Sequence, residues 1–199
     1  MPEMIRILCE GLATILFALI CTRYLCKNMK KRDFRFVPWL PYVLTGCGSA
    51  TLFLLGGLSP WTFCGIAFLF VLLYASVQDH STHEADDILS VMMLMLAVTN
   101  ISEVTVLSQL LGAAIVGGVQ MLIALCGKKR MGIGGADIKL STAAALLLGF
   151  YKGVIGFMLG LLIAVVAQLI MTHRQKEQRT QPFALLPYLS VGLWIGFLI

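Results

Sequence analysis

Eight apolar runs, several of them as long as a membrane crossing, leave this chain few folds to adopt. They cover roughly residues 4–26, 37–57, 61–78, 87–99, 106–126, 139–151, 153–172 and 183–199. A helix crossing a hydrocarbon core about 30 Å thick needs about 20 mostly apolar residues. Runs of that order, separated by short polar stretches, specify a polytopic helical membrane protein. The mean hydropathy of +0.90 agrees. No segment alternates apolar and polar residues as the strands of a barrel would. The expected fold is therefore all-α, a transmembrane bundle of about eight spans. A chain of 199 residues leaves no room for a second soluble domain. Residues 1–60 read as N-terminal spans joined by a basic loop, and 61–199 as the helical core. The fourth and sixth runs are short, so they are expected to extend into their loops, to tilt, or to be sheltered by neighbours.

Charge placement orients the bundle. Of the loops after the first, third, fifth and seventh runs, the first carries Lys27, Lys30, Lys31, Arg32 and Arg35, the fifth Lys128, Lys129, Arg130 and Lys139, and the seventh Arg174, Lys176 and Arg179, while the third carries acids and histidines but no Lys or Arg. The opposite loops carry little beyond Arg6 and Lys152. Excess Lys and Arg mark cytoplasmic loops, which puts the N-terminus outside and the protein in the cell membrane. The same asymmetry accounts for the net charge of +5 without a nucleic-acid partner. The basic loop reads as a topology anchor that also touches anionic lipid. Charge follows the first run instead of preceding it, so that run is expected to be an uncleaved span. Six cysteines occur and none form a C-x-x-C pair, so they read as inert thiols, with no zinc knuckle or disulfide framework. Glu10 inside the first span is costly and has no evident role.

Two acids on the inner side stand out. Asp137 follows Gly134-Gly135-Ala136 and opens an apolar run. An acid at the mouth of a membrane segment marks a functional site by default. The glycines permit close backbone approach and unusual dihedrals. Asp79 closes the third run, at a helix C-terminus, where the helix dipole disfavours negative charge. A carboxylate in that position needs another reason to be there. Asp86 and Asp87 open the next run, where capping a helix N-terminus is a sufficient reading. His80 and His83 lie among these acids, but their spacing matches no zinc site, and no metal is expected. If packing brings Asp79 and Asp137 together, two carboxyls in one partly apolar site cannot both ionise readily, and they hold one proton between them. That is the arrangement with which aspartic proteases activate water and polarise a peptide carbonyl.

Gly134-Gly135-Ala136-Asp137-Ile138-Lys139-Leu140 resembles the G-x-G-D-x-K-L signature of the type IV prepilin peptidase family of membrane aspartyl peptidases. Asp79, with Ala85-Asp86 after it, resembles that family's first motif, an aspartate followed by a Pro-Asp or Pro-Asn pair. Gln181-Pro182-Phe183, Pro187-Tyr188 and Gly192 resemble its closing P-F-x-P-type motif. The resemblance covers the chain from about residue 61 onward. It implies an endopeptidase that removes the leader of prepilin or pseudopilin precursors at the cytoplasmic face, with Asp79 and Asp137 as the catalytic pair. Gly134, Gly135, Lys139, Asp86, Pro182, Phe183 and Pro187 would support them. It also implies that cleavage needs no cofactor. Some members methylate the new N-terminus with S-adenosylmethionine. This chain lacks the cysteine-rich insertion of the large forms, so it resembles the short, pilus-assembly type, and methylation is not expected of it.

Two positions depart from the pattern. Ala136 replaces the usual glycine before the second aspartate, where a positive φ would be penalised, and Ala85 replaces the usual proline. These departures keep open a non-catalytic assembly subunit. A proton-coupled transporter, with the acids as a relay, is a further reading. Against it, the acids lie at one face and not at the midplane, and no inverted repeat is visible. Lys139 has two readings, an inside-positive anchor or a charge that lowers the pKa of one aspartate. Pro182 and Pro187 start or kink the last helix.

Overall fold

The computed structural model describes residues 2–83, 85–100, 104–126, 134–174 and 184–199. Each apolar run appears as a helix: α1 (Pro2–Lys31), α2 (Leu40–Gly56), α3 (Pro60–Thr82), α4 (Asp87–Thr99), α5 (Val106–Cys126), α6 (Gly135–Leu148), α7 (Phe150–Arg174) and α8 (Leu186–Leu198). The described residues form no strand. This is the architecture of a polytopic helical membrane bundle. Among the described residues, four helices, within α1, α3, α5 and α7, are long and apolar enough to cross a membrane. The others are shorter; α4 and α8 have 13 residues each, about 20 Å of rise against a core of about 30 Å.

Helix α3 lies at the centre, packed on α2, α4 and α8. Its start is set by Ser59, whose hydroxyl accepts the Thr62 N–H at 3.3 Å, and by Pro60 in the first turn. These are the usual devices for a helix N-terminus. It stops where His83 turns left-handed at φ 54° and returns its N–H to the Asp79 carbonyl at 2.9 Å. Around α3 the core gathers Phe68, Leu72, Leu140, Leu147, Leu186 and Phe197, all fully buried or nearly so. Phe197 stacks on Trp61 at 5.1 Å and on Phe68 at 5.3 Å, which ties the far end of α8 to α3.

Two close approaches set the placement of the short helices. α7 and α8 cross with Gly156 and Gly160 against Gly192, where a side chain on Gly192 would run into the α7 backbone. Small residues at such a crossing let backbones meet without a driving force from water. α6 ends at Gly149, φ 79°, whose N–H returns to Ala145 O at 2.9 Å. Buried polar groups also link helices: Thr22 to Thr45 at 2.7 Å between α1 and α2, and Asn100 Nδ2 to the Leu147 carbonyl at 3.1 Å.

Candidate active site

Asp79 lies in the last turn of α3 and is only 5% exposed. The dipole of its own helix opposes a charge there, and a second helix supplies what the first does not. α8 begins beside it, and the Leu186 N–H, in the first turn of α8, donates to Asp79 Oδ2 at 3.0 Å. The first N–H groups of a helix have no partner within it and carry the positive end of the dipole, so they favour a carboxylate. Pro187, which has no N–H to offer, occupies the next position. Asp79 is therefore at the wrong end of α3 and the right end of α8.

Asp137 is the third residue of α6, ahead of the apolar stretch 139–151, and is half-buried. Its carboxyl is pushed up to about 6, first by burial and then by the negative charge of Asp79. The charge of Asp79 thus bears on Asp137 from a helix far away in sequence. A hydrogen bond from the Gly134 backbone acts in the opposite direction and favours the charged form. Beneath the site, Ser141 Oγ donates to the Asp137 carbonyl at 2.6 Å and accepts from Gln120 Nε2 at 2.6 Å. That chain anchors the first turn of α6 to α5.

The glycines before Asp137 meet one part of the sequence expectation, close approach, and not the other, unusual dihedrals. Gly134 has φ −61° and ψ 139°, open to any residue. What it permits is closeness: a Cβ there would sit 3.2 Å from Asp137 Oδ2. Around Gly135 there is open space. Ala136 lies inside α6 and has no positive φ, so the penalty attached to replacing glycine does not arise.

Asp86 is positioned as the N-cap of α4, yet its side chain makes no capping hydrogen bond. The capping reading fails because Arg32 Nη1 donates to Asp86 Oδ2 and takes the carboxylate away from the helix end. That guanidinium holds the Asp86 carboxyl below the usual carboxylate range. Lys139 is paired with Asp87 Oδ1 at 2.8 Å, on the exposed surface, and so is engaged with neither Asp79 nor Asp137. Pro182 and Phe183 lie outside the described residues. Glu10 acquires a partner, Arg6 one turn away at 2.8 Å. His80 is exposed beside Asp79, and among the described residues no three His, Cys, Asp or Glu side chains gather as a metal ion would require.

Sequence reasoning missed Leu186 and Arg32. Leu186 acts through its backbone, so its side chain carries no signal; Pro187 and the helix start it announces were the available clue. Arg32 was read only as one charge in a basic loop. That loop is in fact fixed to α3 and α4. The Arg35 N–H donates to Ser81 Oγ at 3.0 Å and Phe34 meets Tyr74 edge-on at 5.9 Å.

Residues 66–172 match the type IV leader peptidase family, a stretch that contains both Asp79 and Asp137. No curated protein and no solved structure matches the chain.

Proposed function

The chain belongs to the type IV leader peptidase family, whose members are aspartic-type peptidases, and from that premise we propose that it is a membrane-embedded endopeptidase using Asp79 and Asp137 as one catalytic unit. The observation that carries this reading is the coupling of the two carboxyls: the charge on Asp79 raises the pKa of Asp137. A pair so coupled holds a single proton over a range of pH.

The surroundings divide the roles. Asp79, facing the Leu186 N–H, is the ionised member, and Asp137 carries the proton. Asp79 draws a proton from water as the oxygen attacks the scissile carbonyl carbon. Asp137 gives its proton to the carbonyl oxygen, forming a neutral tetrahedral diol. On collapse, the C–N bond breaks. Asp79 passes its proton to the leaving nitrogen, and Asp137 recovers a proton from the diol hydroxyl. Protons and electrons balance, and both acids return to their starting state.

The substrate class proposed is the leader of prepilin or pseudopilin precursors. Cleavage is proposed at the cytoplasmic face, because Lys128, Lys129 and Arg130 precede Asp137 and the alternation of helices puts the end of α3 on the same side. Cleavage by this pair calls for no cofactor. The test is co-expression with a prepilin. Asp79→Asn and Asp137→Asn should each leave the precursor at full length while the protein still inserts in the membrane. Leader removal persisting in either variant overturns the reading.

A further inference from the structure

Between α2, α3 and α8 runs a groove of about 800 Å³ that the proposed chemistry does not use. Its walls are apolar: Leu44 and Cys47 from α2, Leu69 and Leu73 from α3, Val191 and Trp194 from α8. Leu44 and Val191 are about half exposed, so the groove opens sideways onto whatever surrounds the bundle. At one end the character changes. Arg35 and His80, the latter next in sequence to Asp79, line the groove there. The Arg35 backbone is fixed by its N–H bond to Ser81 Oγ at 3.0 Å. Its side chain is exposed, and no carboxylate among the described residues pairs with it.

A laterally open apolar channel with a cation at its interfacial end is complementary to one kind of molecule. We infer that this groove binds an anionic phospholipid, with the headgroup phosphate at Arg35 and the acyl chains along α2, α3 and α8. Leu69 to His80 spans about 16 Å at 1.5 Å per residue, a length along which acyl chains can lie. The charge argument is direct. A phosphate next to an unpaired guanidinium forms a strong, often bidentate pair, and one basic residue at an anionic surface contributes about a fivefold preference. The inference depends on the chain being embedded in lipid and not on peptide cleavage.

The test uses the full chain in dodecyl maltoside, stripped of co-purifying lipid. Phosphatidylglycerol or phosphatidylcholine is added back, and bound lipid is read by native mass spectrometry. One phosphatidylglycerol per chain is retained in preference to phosphatidylcholine. Arg35→Gln weakens its retention about fivefold and leaves phosphatidylcholine unchanged. Leu44→Trp fills the groove and displaces both; Cys47→Phe serves the same purpose if the tryptophan variant does not fold. Equal retention of the two lipids overturns the inference, as does phosphatidylglycerol binding that survives both Arg35→Gln and a folded groove-filling variant. Three other results overturn it too: thermal stabilisation by inorganic phosphate equal to that by the lipid, a dimer that Leu44→Trp dissociates, or an apolar helical peptide that the filled groove excludes while lipid stays bound.

Discussion

Leu186 donates its backbone N–H to Asp79 Oδ2 at 3.0 Å, across 107 positions of sequence. That single bond explains an acid that its own helix disfavours, and it makes the start of α8 part of the site. The position of α8 rests in turn on its glycine crossing with α7. Gly192→Leu should therefore act at a distance, by pushing α8 off α7 and withdrawing the Leu186 donor. A hydrogen bond to a charged group contributes about 1.5–3 kcal/mol, so cleavage should fall roughly ten- to a hundredfold. The check is kcat/KM on a leader peptide, with thermal unfolding to confirm that the variant folds. A folded variant with unchanged kcat/KM would detach α8 from the site.

A proton shared by the proposed pair would set a pH dependence. Burial and the negative charge of Asp79 push the Asp137 carboxyl up to about 6. As pH rises through that region the shared proton is lost, so cleavage should decline on the alkaline side with an apparent pKa of about 6 or above. Stability runs the same way. A raised pKa means the folded state binds more protons than the unfolded one, so its contribution is complete below the ordinary carboxylate range and lost as pH rises through about 6. Unfolding midpoints measured across that window should drop in the native protein and stay flatter in Asp137→Asn.

Arg32 and Asp86 are both partly exposed, which bounds what their pairing contributes. A double-mutant cycle with Arg32→Gln and Asp86→Asn should give a coupling under about 1 kcal/mol. Asp86 is held below the usual range by Arg32, so that small contribution is present above the ordinary carboxylate pKa and fades as pH falls. Denaturant titration of the four proteins reads it. A larger loss from Asp86→Asn alone, independent of Arg32, would mean that the side chain does cap α4.

Lys139 offers a sharper discrimination, because its motif position suggests a catalytic charge while its side chain is bound to Asp87. Lys139→Gln should leave kcat/KM within about twofold of the native value, as befits an exposed ion pair. A drop of tenfold or more would return Lys139 to the aspartate pair.

Much of this architecture was legible from apolar run length. All eight runs became helices, since a run of that composition must satisfy its backbone internally in lipid. Both acids stood out by position, Asp79 at the end of one apolar run and Asp137 at the start of another. Two features were not legible. The Leu186 donor is a backbone group, invisible in residue type. The partner of Asp86 is Arg32, 54 positions away, and local capping rules could not compete with a guanidinium delivered by tertiary packing. The glycines were legible in part: Gly134 leaves close room for the Asp137 carboxylate, but at an ordinary φ and with no unusual dihedral.

The most direct measurement is single-turnover cleavage of a prepilin leader by purified native protein, Asp79→Asn, Asp137→Asn and the double variant. Residues that act as one unit are not additive. Each single variant should fall to the background rate, and the double variant should be no slower than either. A single variant that keeps measurable cleavage, with the double variant losing it, would contradict a shared proton and the two-aspartate account with it.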